Sequence, residues 1–188
     1  MEYFKFYKES VPLKMQRFCD KAFLQVGTAD SSAGKYIENW GSENFLEYLP
    51  EHDGPVKDAI ANGFLIPPVV SLKVKDLLES RLGLNKDRED VQFLPITVRK
   101  HGDPDGPSET YYFMNVIRFV EGAVDLEKSV RGFDDSIMFP ALIAERVAPY
   151  DVFKVPERWM CMYVSGRVRD LLLKECDMYA KFDPVKVV

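Results

Sequence analysis

Cysteine and histidine are scarce in this chain, and their scarcity excludes several kinds of site. The 188 residues include three cysteines, Cys19, Cys161 and Cys176, which are widely spaced and form no CxxC pair. Zinc sites and dithiol redox centres need closer pairs, and an odd number of cysteines fits a reducing compartment. The two histidines, His52 and His101, lie among turn-forming residues and give neither an HExxH motif nor a catalytic triad. We therefore expect no metal and no catalytic residues.

Glycine-rich phosphate loops and long apolar runs are also missing from the sequence. Neither GxGxxG nor GxxxxGK[ST] occurs, which disfavours nucleotide binding by the folds that use these loops. No segment approaches the roughly 20 apolar residues of a membrane-spanning helix. Residues 1–6 lack the basic and apolar regions of a secretion signal. These absences predict a cytoplasmic protein that needs no cofactor.

Basic residues are outnumbered, with 25 Lys and Arg against 30 Asp and Glu, for a formal net charge of -5. A surface of this sign does not attract nucleic acid or anionic lipid, but it does attract a basic partner. Apolar residues make up 46% of the chain, which is enough to bury one sizeable core. We expect a single domain over residues 1–188.

The clearest helix and strand signals follow one another in the middle of the chain. Ser71 is a good N-cap, the helical spacing of apolar residues predicts a helix over residues 72–82, and Gly83 suits its C-terminal end. Residues 93–98 are predicted to form a strand, in which Pro95 favours an edge or an early position. These signals favour an α+β fold with a mixed, mainly antiparallel sheet and packed helices.

The flanking segments include the strongest strand signal of the chain, at residues 110–120, beside weaker signals. Residues 1–63 are a less regular N-terminal portion, in which residues 3–7 are predicted to form a strand. Between residues 27 and 63, scattered aromatic residues are expected to pin irregular structure or a short helix onto the core. The turn formers of residues 101–107 and the strand pattern of residues 110–120 predict a long-looped antiparallel hairpin. Residues 134–143 are predicted to start a short helix, and residues 150–155 a strand.

One segment of nine residues occurs twice. Residues 70–78 match residues 164–172 by identity or charge-conserving replacement in eight of nine positions, with Ser71 and Ser165 standing 94 positions apart. A Phe-x-Pro-[Ile/Val]-x-Val segment follows each copy. The repeat predicts a strand, a capping serine, an amphipathic helix and a second strand, used twice around one core. Both serines are predicted to cap helices and not to act as nucleophiles, because neither has a glycine-flanked elbow.

Acidic residues on predicted loops form the candidate partner-binding surface. Where several of them converge, they would complement a positively charged partner and speed its capture. The candidates are Asp103, Asp105, Glu121, Asp125, Glu127, Asp134 and Asp135, with Glu51 and Asp53 further upstream. Asp103 and Asp105 near His101 imitate a metal loop, but the spacing departs from the EF-hand pattern. An exposed polar turn is the expectation there.

Short motifs in the second half of the chain occur in the order typical of a known family. They are an aromatic-x-Asn-Val strand at residues 112–116, a Leu- or Val-Asp element followed by Ser at 124–129, a Phe-Lys strand at 153–155, the helix start at 164–165 and a closing strand at 182–185. In this order they resemble family eleven of the immunity proteins of bacterial polymorphic toxin systems. Met114 stands where the family has leucine, and Lys154 where arginine is common. The resemblance spans residues 64–188.

The resemblance implies a small protein, made beside a toxin in the same cell, that binds the toxin and blocks it without catalytic residues. Its motif residues are expected to be mostly scaffold, with Asn115 and Ser129 satisfying buried backbone groups. The leading hypothesis is therefore a toxin-binding inhibitor that acts by occlusion. A hydrolase or metal-dependent enzyme using Asp103, Asp105 and a histidine, or a generic protein-binding adaptor, are the alternatives. A homodimer is left open.

Overall fold

A computed structural model describes residues 1–8, 22–23, 34–48, 58–60, 68–85, 90–100, 102–178 and 180–188. The strands are β1 (Tyr3–Lys8), β2 (Ala22–Phe23), β3 (Phe45–Tyr48), β4 (Ala59–Ile60), β5 (Val69–Ser71), β6 (Val91–Lys100), β7 (Ser108–Val116), β8 (Val124–Arg131), β9 (Ile137–Leu142), β10 (Val152–Phe153), β11 (Met162–Ser165) and β12 (Ala180–Val187). The α-helices are α1 (Leu72–Leu82), α2 (Ala144–Val147) and α3 (Gly166–Glu175), and a 3-10 turn covers Pro156–Arg158.

The strands form two six-stranded sheets. One has the order β8-β9-β12-β1-β11-β10, and the other has the order β2-β3-β6-β7-β5-β4. In both sheets the pairing is antiparallel, except that β9 runs parallel to β12 and β3 runs parallel to β6. The α+β prediction with mixed, mainly antiparallel sheets is confirmed.

The two sheets are copies of one another in strand order, in strand direction and in register. Val70 lies opposite Ala59 in one sheet, and its repeat counterpart Val164 lies opposite Val152 in the other. The two prolines of the repeated motif, Pro95 and Pro184, lie opposite Tyr112 and Phe4. The predicted repeat therefore extends over a whole sheet.

The second copy takes one of its strands from the start of the chain. The place that β7 holds between β6 and β5 is held in the other sheet by β1, between β12 and β11. Tyr3 is opposite Ser165 and Val185, as Tyr111 is opposite Ser71 and Ile96. The fold is thus a duplication in which the last strand of the second unit precedes the first unit in sequence.

A shared core lies between the two sheets, and α1 packs against α3 within it. Its buried side chains come from both copies: Phe4, Phe6, Val70, Val74, Leu78, Leu84, Val91, Phe93, Met114, Val116, Val152, Met162, Val164, Val168 and Leu172. Because successive strand residues point to opposite faces, Tyr3 and Tyr163 belong to a second cluster outside one sheet, and Tyr111 and Phe113 to a third outside the other.

Both repeat serines are helix caps, as predicted. Ser71 accepts a hydrogen bond from the backbone N–H of Val74, and Ser165 accepts one from Val168. Each hydroxyl also donates to an aspartate that precedes the neighbouring short strand, Asp58 in the first copy and Asp151 in the second. Burial raises the pKa of the Asp58 carboxyl, but the hydrogen bonds from Ser71 and from the Asp177 backbone outweigh it, so the pKa is lowered.

Two predictions about secondary structure are wrong. Residues 137–142 form β9 and not a helix, because Asp134 and Ser136 stabilise a tight turn by hydrogen bonding to each other instead of capping a helix. β6 is an interior strand and Pro95 is its fifth residue, so the prediction of an edge or an early position is wrong. Pro95 is tolerated because β3 pairs with β6 only from Thr97 onward, so the missing N–H of Pro95 costs no hydrogen bond to β3. The Pro95 carbonyl accepts a hydrogen bond from Trp40 Nε1 instead.

Other predictions are confirmed in part. The helix over Leu72–Leu82 ends at Gly83, whose φ of 71° is the left-handed conformation that favours glycine. The long-looped hairpin is β6–β7, with the second strand shorter than predicted. The irregular segment 34–44 is pinned by its aromatic residues, as expected, but it leads into the strand β3. His52, His101, Glu51 and Asp53 lie outside the described residues.

Candidate functional site

The hairpin formed by β8 and β9 carries the densest group of exposed apolar side chains in the described part of the chain. Strand β8 is the edge of its sheet. The exposed side chains on this hairpin are Leu126, Val130, Phe133, Met138 and Phe139. Clustered apolar groups on a surface mark a contact with another macromolecule more often than isolated ones do. We refer to residues 124–142 as the exposed hairpin.

The tip of the exposed hairpin is held in one conformation by its own hydrogen bonds. The N–H of Gly132 donates to the carbonyl of Ser136 at 2.8 Å and closes the turn. Asp134 Oδ1 accepts from the N–H and the hydroxyl of Ser136 at 3.2 and 2.6 Å. Asp135 has a φ of 61°, a left-handed conformation that aspartate tolerates. Phe133, between these residues, projects fully into solvent.

The base of the exposed hairpin contains a β-bulge that the Ser129 hydroxyl stabilises by hydrogen bonds to both strands. Asp125 is opposite Ala141 and Val130 is opposite Phe139, so β8 has extra residues between them. The Ser129 hydroxyl donates to the Asp125 carbonyl at 2.6 Å and accepts from the N–H of Ala141 at 2.9 Å. The expectation that Ser129 satisfies backbone groups is confirmed. A bulge of this kind interrupts the regular edge of β8 and disfavours addition of a further strand along it.

Asn115 has a similar structural role in the other sheet. Its side chain is fully buried, and its Nδ2 donates to the Lys35 carbonyl at 2.9 Å and to Gln92 Oε1 at 3.2 Å. Gln92 in turn bonds both the N–H and the carbonyl of Ile37. These bonds fasten segment 34–44 to the sheet. The expectation for Asn115 is confirmed in part, since it satisfies one part-buried backbone carbonyl, that of Lys35.

Four of the seven acidic candidates lie on the exposed hairpin. Asp125 and Glu127 are on β8, and Asp134 and Asp135 are at the tip. Glu121 lies in the exposed turn just before β8. Asp103 and Asp105 lie on the β6–β7 loop of the other sheet, so the chain presents two acidic groups on different sheets and not one.

Two carboxylates of the exposed hairpin, those of Asp125 and Asp134, are held in their charged form by hydrogen bonds. The pKa of Asp125 is lowered chiefly by the hydrogen bond from the Lys128 backbone, and that of Asp134 by the hydrogen bonds from Ser136. The basic residues of the hairpin are each beside a carboxylate, with Lys128 Nζ 3.2 Å from Asp125 Oδ2 and Arg131 Nη1 3.7 Å from Asp135 Oδ1. The hairpin therefore carries a net negative charge next to its apolar side chains.

Sequence reasoning missed the apolar half of this site. The motif residues 124–129 are expected to be mostly scaffold, yet Leu126 is about half exposed, as is Val130 directly after the motif. One signal was available: Phe133 stands between Gly132 and two aspartates, in a segment with too many turn formers to be buried.

A cleft of about 490 Å³ lies beside β6 in the other sheet. It is lined by Tyr36, Ile37, Glu38, Trp40, Asn85, Gln92, Phe93, Leu94 and Pro95. The polar ends of Gln92 are already bonded to Ile37, so they are not available to a ligand. Within the described residues, no group of three or more His, Cys, Asp or Glu side chains is arranged to hold a metal ion.

Comparison with known families matches this chain to one of them. The sequence model of the immunity protein family Imm11 matches residues 17–187, which is more than the second half in which the resemblance was recognised. No curated protein matches the chain. Of the helices in the described ranges, none is long and apolar enough to cross a membrane.

Proposed function

Because this chain belongs to the immunity protein family Imm11, we propose that it binds a cognate bacterial toxin and neutralises it by occlusion, without catalysis. The toxin is made in the same cell, and the cytoplasm is where the two proteins meet. The family match supports a toxin partner.

The exposed hairpin is the observation that supports a binding mechanism. It combines apolar side chains that would be desolvated in a complex with charged groups that would orient the partner. Its four carboxylates outnumber its two basic groups, Lys128 and Arg131. The complementary surface on the toxin is therefore basic.

Coexpression tests the proposed function directly. The toxin encoded beside this chain is produced alone and together with it, in a host that lacks both. We expect growth arrest with the toxin alone, full rescue on coexpression, and a complex that copurifies. Continued arrest with no isolable complex would refute the proposal. Rescue of growth without an isolable complex, but with a chemical change in the toxin, would favour the enzymatic alternative.

Reversing two charges at the tip should slow capture of the toxin. In Asp134→Lys/Asp135→Lys, we expect the association rate at low salt to fall about tenfold, because long-range attraction of the basic partner is lost. The difference should shrink at high salt, where surface charges are screened. Stopped-flow association at two ionic strengths measures both effects.

The matched control for the tip charges is Asp103→Lys/Asp105→Lys, which changes the net charge equally on the other sheet. If the effect is local to the exposed hairpin, this control slows association less than the tip variant. Equal slowing by both variants would assign the effect to total charge, and unchanged rates in the tip variant would remove Asp134 and Asp135 from the contact.

A further inference from the structure

We propose that the exposed hairpin is the element that enters the toxin, with Phe133 as its anchor, and that the toxin receives it in an apolar cleft bordered by basic side chains. This inference rests on the proposed function and adds the contact element, the anchoring residue and the chemistry of the surface that takes it. The remaining described surface offers no group of this size. Its other exposed apolar side chains are one adjacent pair, Trp159 and Met160, and four that lie on separate elements, Met1, Tyr36, Leu72 and Leu173.

The duplication supplies an internal comparison for the exposed hairpin. In the first copy, strands β2 and β3 hold the places that β8 and β9 hold in the second, with Ala22 opposite Leu46 as Val124 is opposite Leu142. The described part of the β2–β3 connection folds back over its own sheet. Trp40 stacks on Phe113, with ring centroids 6.0 Å apart. The apolar residues at this place in the first copy are therefore used for intramolecular packing.

In the second copy the same connection is the short turn at residues 132–136, and its apolar side chains pack on nothing comparable. The outer face of that sheet is covered by other residues, including Val147, Val155 and Cys161. The exposed hairpin is therefore not needed to cover the outer face of its sheet. The equivalent connection in the first copy is packed against its own sheet, whereas the apolar side chains of the exposed hairpin are solvent-exposed. This difference indicates that the exposed hairpin contacts another protein.

The hairpin is also preorganised, which reduces the entropy lost on binding. Hydrogen bonds within the turn fix the tip, Ser129 fixes the bulge, and Arg158 Nη1 donates to the Ile137 carbonyl at 3.1 Å. This last bond fastens the hairpin to the 3-10 turn beside it. A rigid, projecting aromatic residue is the kind of side chain that becomes a binding hot spot.

Charge on the hairpin selects the toxin surface as its occupant over a second copy of this chain. Glu127 and Asp134 form no ion pair with another described residue, so the hairpin is left with a negative field around Phe133. A second copy would present the same acidic hairpin, in a chain of net charge -5. Like charges that face one another oppose association, whereas a basic rim would neutralise them.

The test compares the affinity of hairpin variants for a catalytically inactive form of the toxin encoded beside this chain. Phe133→Ser is expected to weaken the complex about thirtyfold or more, mainly through faster dissociation, because a buried aromatic anchor is lost. Phe139→Ser should weaken it by a smaller factor. Melting temperature should be unchanged in both, since the two side chains are 116% and 66% exposed. Biolayer interferometry with the full-length chain gives the rates.

The control is Leu173→Ser, which removes an apolar side chain from α3, outside the hairpin. Leu173 is about as exposed as Phe139. The control variant should bind the toxin within twofold of the unaltered protein. If the unaltered protein binds and Phe133→Ser binds equally well, the hairpin proposal is wrong and the proposed function stands. If the unaltered protein does not bind, both are wrong. If sedimentation shows a dimer that Phe133→Ser converts to a monomer while toxin affinity is kept, the occupant is a second copy and the proposal fails.

Discussion

Leu78→Ala is expected to lower the free energy of unfolding by about 2–5 kcal/mol, the range for truncating a fully buried leucine. Leu78 is 0% exposed and lies on α1 in the core that both sheets share. The loss combines the transfer free energy of the missing methyl groups with the cost of a cavity. Urea unfolding measures the change.

The duplication provides a second test of the same prediction. Leu172 is the repeat counterpart of Leu78 and is 2% exposed on α3, so Leu172→Ala should cost a similar amount. The adjacent Leu173 is 59% exposed, and Leu173→Ala should change stability by less than about 0.5 kcal/mol. A loss below about 1 kcal/mol in both buried variants would contradict a single core between the sheets.

The parts of this fold that could be predicted from the sequence are those specified by neighbouring residues. A capping serine, an apolar helical face and a closing glycine are encoded within a dozen positions, so α1 was found with its bounds. The β6–β7 hairpin was found because its turn formers lie directly between its strands. The repeat of residues 70–78 was visible because both copies keep the same buried positions.

The parts that could not be predicted depend on pairings between distant residues. Strand β1 pairs with β11 and β12, more than 150 positions away in sequence. No local pattern shows that it completes the second unit. The strand β9 was mistaken for a helix because Asp134 and Ser136 resemble an N-cap until the turn they form is seen.

The candidate site was half predicted, for a physical reason. Acidic side chains on loops are exposed in almost any fold, so Asp134 and Asp135 could be predicted as surface residues without knowledge of the fold. Exposed apolar residues such as Phe139 have the same spacing as core residues, and only the position of β8 at a sheet edge separates the two cases. That the seven acidic residues contact the partner stays a prediction.

A buried lysine gives the second large prediction. Lys154 is 2% exposed, and burial lowers its pKa from 10.5 to about 8, against the opposing influence of Cys161. Keeping this side chain charged in the folded protein at neutral pH therefore costs about 3 kcal/mol. The charge is retained at a cost to the fold.

Lys154→Met should raise the free energy of unfolding by about 1–3 kcal/mol at pH 7, because methionine keeps the apolar length of the side chain without the buried charge. The upper value is reduced by the lost contact between the ammonium group and the Phe119 ring, which lie 5.8 Å apart. Chemical unfolding of both proteins at pH 7 measures the gain. Lys174→Met, at an exposed position, is the control and should change little.

The gain should disappear as the pH rises, and the sign follows from the lowered pKa. Between pH 8 and 10.5 the folded protein releases the Lys154 proton while the unfolded chain still holds it, so the stability of the unaltered protein rises with pH relative to the variant. Burial also raises the pKa of Cys176 to about 11 and of Tyr3 to about 12, but these groups titrate alike in both proteins and cancel in the difference. Unfolding at pH 9.5 should therefore show a smaller gain than at pH 7. A variant less stable than the unaltered protein at pH 7 would mean that the interactions of the ammonium group outweigh the cost of its burial, which would contradict this prediction.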